Sequence, residues 1–567
     1  MDSFNLVTEP WIKVLESKTN SERLVSIEEL LKNAKDYRQI AGEMHGQDLA
    51  VLRLLEAILT TIYSRVNEDG QAYEWLKLDE RMQVVGSNID EAEFDSEELL
   101  NTWEALSSKG GFTDAVFNYL DRNADLFDFF GSHPFYQVTK EQYDAHVVAA
   151  KRVDKGKGTV DLMQMNRLIS QSGNSVALFA PKSAPQKNKM SIDELVRWVI
   201  SYQNFTGVTD KTKVVAKEKM SNGRGWLYTL NPIYIKGKNL FETLLLNMIL
   251  LNDDEDKYTI QKPVWEEDLD SYVKKRLKQI KPDNYVEVYT VWSRLLHIEW
   301  KDDVPTVFSA GLPAFNSTNA FDIEPMSTWR KDKDGNWIPA TRQLSSLGWA
   351  MWRNFGQYVP LEKNEGKQPL IIEWINILKE GGYIQSTARI NLHTTGIISN
   401  GGATSLMPAA EFDDNLQIEA DVLFDENPDL AKKWPARIEE MVELNQTVGR
   451  KYYGFLMEIG TIRFGSRGAG DFAGRKSQDF YDNLNEPFTN WLSGLSNQDE
   501  REEKVREWKD ELQKLSLQTL DQFLEQMTPR DITGVKKSGN DDADKDRDNI
   551  FKAASKFKAG VWKVIHK

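Results

Sequence analysis

The sequence predicts an α+β protein in two parts: a large mixed α/β N-terminal domain over residues 1–400 and a C-terminal four-helix bundle over residues 401–567. Three observations lead there. The chain has 567 residues, more than one hydrophobic core normally accommodates. Its first 400 residues mix short strand-like and helix-like patterns with Gly- and Pro-containing loops. Beyond Gly401-Gly402 and Pro408, which read as a linker, the pattern changes to long helical repeats.

Element by element, Asn5-Leu-Val-Thr-Glu-Pro-Trp-Ile-Lys-Val14 reads as a strand interrupted at Pro-Trp. Ser26, with Glu29 three residues on, is a helix start, because a serine hydroxyl can accept the N3 amide. Over 47–63, Leu49, Leu52, Leu55, Leu59 and Ile62 carry a broad apolar face, so this helix is expected to be buried. Ser191 and Glu194 frame a helix over 192–202. Strands are expected over 228–235 and 285–291, with a helix over 240–251. Asp332-Lys-Asp-Gly335 marks a hairpin tip. The bundle helices fall at 430–462, 478–495, 498–525 and 549–565. Pro435 and the glycine-rich run from Gly465 to Gly474 break them, the latter as a flexible inter-helix loop.

Charge is unevenly distributed. The net charge of -16 opposes non-specific nucleic-acid binding by the chain as a whole. Residues 151–224 nevertheless hold 14 Lys and Arg against 6 acids, and residues 551–567 hold five lysines and no acid. Two basic islands in an acidic chain suggest localised anion contacts. Without cysteine, disulfides, thiolate metal sites and cysteine nucleophiles are excluded. The N-terminus lacks a basic-then-apolar signal pattern, and the most apolar stretch, 240–251, is too short for a bilayer. No membrane association and a cytoplasmic location are therefore expected.

No catalytic motif emerges. The six histidines show no His-Glu-x-x-His and no i, i+4 pair. Neither a Gly-x-Ser-x-Gly elbow nor a phosphate loop is present, and Gly465-Ser-Arg-Gly-Ala-Gly470 is not followed by Lys-Ser/Thr. The expectation is a binding protein with no catalytic residue, metal or cofactor. Plentiful carboxylates and 17 tryptophans keep a carbohydrate-active hydrolase with paired carboxylates as one alternative. A scaffold that touches only proteins is another.

Several separated segments share one likeness. They are the opening Asn5–Val14 segment (with Lys13 where a proline is usual), His133-Pro-Phe-Tyr-Gln137 after Leu126-Phe-Asp-Phe-Phe130, Gly381-Gly-Tyr383, and Phe480-Tyr481 followed by Pro487-Phe-Thr-Asn-Trp-Leu492. In this order, across nearly the whole chain, they resemble the CasA family, the large subunit of the type I-E CRISPR Cascade surveillance complex. The resemblance implies a non-catalytic subunit that recognises a protospacer-adjacent motif (PAM) in duplex DNA and promotes duplex opening and R-loop formation. It also implies docking of a helicase–nuclease. The implied partners are CRISPR RNA, double-stranded target DNA, the other Cascade subunits and that helicase–nuclease. Sequence selection is left to the guide, as in other RNA-guided systems.

The resemblance also assigns residues. In the loop over 172–182, Asn174, Phe179 and Lys182 would meet the RNA handle and a neighbouring subunit, Phe179 by stacking and Lys182 through phosphate. Thr206, Gly207, Val208 and Thr209 would approach the PAM minor groove, and Lys211 and Lys213 would hold phosphates, with Lys217, Lys219 and Arg224 beyond. A β-hairpin wedge after Gly-Gly-Tyr would carry Gln385, Ser386 and Thr387 at its tip, supported by Arg389. Arg463, Arg467, Lys552 and Lys556 would guide the displaced strand. The family's lysine finger is not placed; Arg330, Lys331 and Lys333 match it by charge alone.

Overall fold

The computed structural model describes residues 3–87, 94–156, 158–165, 189–207, 212–216, 223–251, 258–301, 304–359, 367–399, 408–536 and 547–567. The chain divides into two compact units. The first comprises Met1–Gly348, Glu365–Tyr383 and Leu392–Asp414; the second comprises Trp349–Asn364, Ile384–Asn391 and Asn415–Lys567. This is not a single cut at residue 400. Residues 349–364 join the helical unit because their aromatic side chains complete its core. Trp352 lies 4.7 Å from Phe488 between ring centroids and donates its indole N–H to Asn485, and Arg353 stacks on Tyr481.

In the first unit, strands β1 (Ile12–Glu16), β2 (Glu22–Val25) and β3 (Tyr37–Ile40) form an antiparallel sheet in the order β2-β1-β3. Helix α1 (Ile27–Lys32) begins at Ser26, whose hydroxyl accepts the Glu29 amide as expected. Helix α2 (His45–Tyr63) is buried on nearly every face. It buries Arg53 too, whose guanidinium makes a bidentate pair with Glu324 at 2.9 and 2.8 Å and lies 4.2 Å from the Tyr289 ring centre. Helix α3 (Ile192–Phe205) packs on α2. Strand β4 (Ile233–Ile235) is shorter than the expected 228–235 strand, because Trp226–Thr229 form a 3₁₀ turn. Helix α4 (Leu240–Asn247) starts at Asn239, whose side chain accepts the Glu242 amide.

The expected strand over 285–291 is instead helix α5 (Tyr285–Thr290). Its alternating Val286 and Val288 resemble a strand, but the Asn284 side chain caps the Glu287 amide and the segment is buried all round. Strands β5 (Arg294–Lys301) and β6 (Val304–Gly311) form a long antiparallel pair that the sequence reading does not anticipate. Strands β7 (Trp329–Lys331) and β8 (Trp337–Pro339) form the expected hairpin, with Gly335 at φ 82° in its tip. Helix α6 (Leu370–Glu380) precedes strand β9 (Arg389–Ser399), which lies between β4 and β10 (Pro408–Glu419) in one sheet. The expected linker at 401–402 lies outside the described residues, and Pro408 opens a strand.

Asp48 accepts the Gly42 amide at 2.6 Å beside the start of α2. Burial, aided by Glu411, Glu43 and Asp413 nearby, pushes its carboxyl up to about 7. A carboxyl raised by folding lends stability below the unfolded value near 4, and that stability is lost as pH rises through about 7. Asp48→Asn should therefore stabilise the fold at pH 8 by on the order of 2–4 kcal/mol and do little at pH 4, as urea titrations at the two pH values will read.

The second unit holds helices α7 (Trp434–Phe464), α8 (Ser466–Gly494), α9 (Arg501–Leu524) and α10 (Ile550–Ile565). Pro435 does not break α7 but starts it, since a proline at the first turn forfeits no helical bond. The glycine-rich loop expected over 465–474 reduces to Gly465 alone, at φ 76°, and α8 continues through Gly468, Gly470 and Gly474. The four helices meet on aromatic rings. Tyr452 lies 5.7 Å from Phe480 and 5.6 Å from Phe557, and Phe455 lies 5.2 Å from Phe523.

Candidate nucleic-acid interface

Helix α3 ends at Phe205, and the chain leaves it through Thr206 and Gly207. Both are buried, Thr206 only 3% exposed, so they form the foot of the proposed groove-reading loop and do not face solvent. The other end of the segment returns at Gly223. Arg294, 0% exposed at the start of β5, holds the two ends together. Its guanidinium donates to the Gly207 carbonyl at 2.9 Å, the Gly223 carbonyl at 2.6 Å and the Ser293 carbonyl at 2.9 Å. Gln203 positions Arg294 in turn, accepting the Ser293 and Arg294 amides and donating to the Arg294 carbonyl, each at 2.9 Å. Beside the clamp, the Gly225 amide donates to Thr206 at 2.8 Å. A Cβ on Gly225 would sit 2.1 Å from the Asn204 carbonyl oxygen, so only glycine permits this approach.

Lys213 is exposed and bridges β6 at Gly311, with the Gly311 amide donating to Thr212 at 2.9 Å. Val208, Thr209 and Lys211 lie outside the described residues, as do Asn174, Phe179 and Lys182. Arg330 and Lys331 are exposed on β7, and Lys333 is exposed in the tip of that hairpin.

The wedge segment begins after Gly382, at φ 77°. Residues 385–388 make one tight turn, closed by the Ala388 amide on the Gln385 carbonyl at 2.8 Å, and β9 follows at once. This is a turn running into a strand, not the expected hairpin. Gln385, Ser386 and Thr387 are all exposed. The backbone beneath them is fixed: Asp421 donates to the Ser386 carbonyl at 3.0 Å and Ala420 to the Ala388 carbonyl at 2.9 Å. Arg389 donates to the Leu495 carbonyl at 3.0 Å and lies 3.9 Å from Glu419, so its charge ties the turn to the bundle.

The four displaced-strand candidates separate by environment. Arg467 and Lys552 are exposed. Lys556 is exposed but paired with Glu458 at 3.0 Å. Arg463 is structural: it makes a two-pronged pair with Asp531, at 2.9 and 2.6 Å, and packs over the Phe472 and Phe523 rings. Burial raises the Asp531 carboxyl, but the Arg463 bonds and those from Thr528 outweigh it and hold the group below the usual aspartate range. Arg463→Ala should cost the bundle about 3 kcal/mol, because it strands a buried carboxylate. Its urea midpoint should fall while the salt dependence of nucleic-acid binding stays unchanged, which separates a structural arginine from a phosphate contact.

Arg294 is missed by sequence reasoning, since nothing in Arg294-Leu-Leu-His marks a loop clamp. Among the described residues, no group of three His, Asp or Glu side chains could hold a metal ion, and no helix is long and apolar enough to cross a membrane.

The profile of the family described as CRISPR-associated protein Cse1 matches residues 5–519. A curated relative from Thermus thermophilus, CRISPR-associated protein CasA/Cse1, is 25% identical over 414 residues, covering 70% of this chain and 68% of the relative. The crystal structure of Thermobifida fusca Cse1 superposes with a TM-score of 0.72 at 20% identity, over 100% of this chain and 98% of that one. Thermus thermophilus CasA (Cse1) superposes with a TM-score of 0.67 at 18% identity, over 100% of both chains. A chain of a CRISPR RNA-guided surveillance complex matches with a TM-score of 0.67 at 14% identity, over 99% of this chain and 100% of that one. The structural likenesses establish a shared fold, and the profile match spans both compact units as far as α9. The chain belongs to the Cse1 family of CRISPR-associated proteins.

Proposed function

We propose that this chain is the non-catalytic large subunit of a type I-E CRISPR surveillance complex in the cytoplasm. In this reading it contacts the CRISPR RNA handle and its neighbouring subunits, recognises the PAM in duplex DNA, and opens the first base pairs. It also docks the helicase–nuclease that cuts. The observation that carries the reading is the turn over 385–388. Three exposed side chains, Gln385, Ser386 and Thr387, stand on a backbone held by bonds from Ala420 and Asp421. A wedge must keep its shape while separating stacked bases, a step that costs on the order of a few kcal/mol, so a rigid base beneath exposed tip residues is the arrangement required. The Arg294 clamp serves the groove-reading loop in the same way, fixing both ends of the segment that starts at Gly207. Arg467, exposed at the start of α8, is the cation most suited to the displaced strand.

The experiment is co-expression with the neighbouring gene products and purification through a tag on this chain. A short repeat-derived RNA should co-purify with the other subunits. Recovery of this chain alone, free of RNA, would remove the proposal.

A further inference from the structure

Arg353 lies in the 3₁₀ turn Met351–Gln357 of the second unit and is 8% exposed. Its guanidinium is held between two aromatic rings, 3.9 Å from the Trp349 ring centre and 3.6 Å from that of Tyr481. The surroundings fix it there. Gln446 of α7 donates to the Arg353 carbonyl at 2.9 Å. The Tyr481 hydroxyl packs so closely on Gly449 that a Cβ there would stand 2.3 Å from it. The Phe480-Tyr481 pair of the sequence thus gains a physical task, since its tyrosine is one wall of this sandwich.

Among the described residues no carboxylate pairs with Arg353, and its side chain donates no hydrogen bond. Nε is enclosed, whereas the terminal nitrogens Nη1 and Nη2 are not. Other buried arginines are matched. Arg53, Arg65 and Arg197 each face a carboxylate, and Arg276 and Arg294 donate to backbone carbonyls. Burial pushes the Arg353 guanidinium down to about 10, opposed only by Tyr481, so the group stays charged at neutral pH. A buried charge without a counter-charge is costly, and two ring faces offset part of that cost. They leave unmet the outer edge, where Nη1 and Nη2 present paired donors at the spacing of an oxyanion.

The surroundings select the anion. Tyr481 is the only titratable group that acts on this cation. One isolated charge suits a single carboxylate and poorly serves a strand that carries a phosphate on every nucleotide. Arginine, tryptophan and tyrosine are also the residue types that dominate protein–protein hot spots, and Trp349 is 37% exposed beside the guanidinium. We propose that Arg353 anchors a docking site for a partner protein, receiving an aspartate or glutamate side chain whose apolar neighbours pack on Trp349. The inference does not need the nucleic-acid reading above.

The test uses the purified full chain and Arg353→Met, which keeps an unbranched stem between the rings and removes the charge. The probes are two unlabelled peptides, acetyl-Ala-Leu-Glu-Leu-Ala-amide and its counterpart with Gln for Glu, read by saturation-transfer NMR, with octathymidylate as competitor. The Glu peptide should bind the natural chain about tenfold more tightly than the Gln peptide, and Arg353→Met should abolish the difference. The urea midpoint of Arg353→Met should hold or rise, because a buried charge is removed. Equal binding of the two peptides to the natural chain would overturn the proposal, and that comparison decides even if the variant fails to fold. Undiminished discrimination by a folded variant would overturn it too. So would displacement of the Glu peptide by octathymidylate from the natural chain, which would assign the guanidinium to phosphate.

Discussion

Glu324→Ala should destabilise the first unit by about 3–5 kcal/mol, the effect of breaking a fully buried ion pair by removing one partner. Arg53 and Glu324 are both 0% exposed. The carboxylate takes two guanidinium bonds, at 2.9 and 2.8 Å, and also accepts the indole N–H of Trp226 and the amide of Met326. Without it, the Arg53 cation remains in the core beside the Tyr289 ring. The loss also reaches the candidate interface, because Trp226 opens the 3₁₀ turn that follows Arg224 and Gly225. Urea denaturation followed by tryptophan fluorescence will read the midpoint. Arg53→Met combined with Glu324→Leu should recover much of the loss, since no charge is then stranded. A Glu324→Ala cost below 1 kcal/mol would mean that the pair is not the anchor its burial implies.

Arg294→Ala should have the second large effect, about 3 kcal/mol of stability, because three buried carbonyls lose charged donors at once. The functional consequence should exceed the thermodynamic one. Gly207 and Gly223 would no longer be tied, and the loop they bound would lose its fixed entry and exit. Hydrogen exchange should accelerate at the Gly223 and Gly225 amides, which donate to Leu312 and Thr206. Arg294→Lys should rescue only partly, because an ammonium lacks the planar fork that reaches both glycine carbonyls. Unchanged exchange at those amides would show that the clamp is dispensable.

What the sequence reveals and what it hides follow from the range of the interactions involved. The Ser26 cap, the buried helix α2, the 332–335 turn and the bundle helices depend on residues within a few positions of one another, so periodicity and cap chemistry find them. Helix α5 is hidden because Val286 and Val288 alternate like a strand, while the burial that selects the helix comes from elements distant in sequence. The run from Gly465 to Gly474 looks like a loop by composition, yet one positive φ at Gly465 makes the turn and the remaining glycines continue α8. The site hides for the same reason. Arg294 reaches partners 71 and 87 residues away, and Arg463 meets Asp531 68 residues on. A cation in a sequence cluster reads as surface until its distant partner is seen. The exposed 385–387 turn is legible because Gly381-Gly-Tyr383 marks the segment before it, although its shape, one turn running into β9, is not.

In the proposed function the 385–387 turn separates base pairs beside a recognised motif. The direct measurement is permanganate reactivity of thymines placed next to that motif, in a target duplex bound by the reconstituted complex. The comparison is between the natural turn and one with Gln385, Ser386 and Thr387 all replaced by glycine. The account predicts reactive thymines with the natural turn and protected thymines with the glycine turn, at equal RNA content and equal subunit composition. Equal reactivity in both complexes would contradict it.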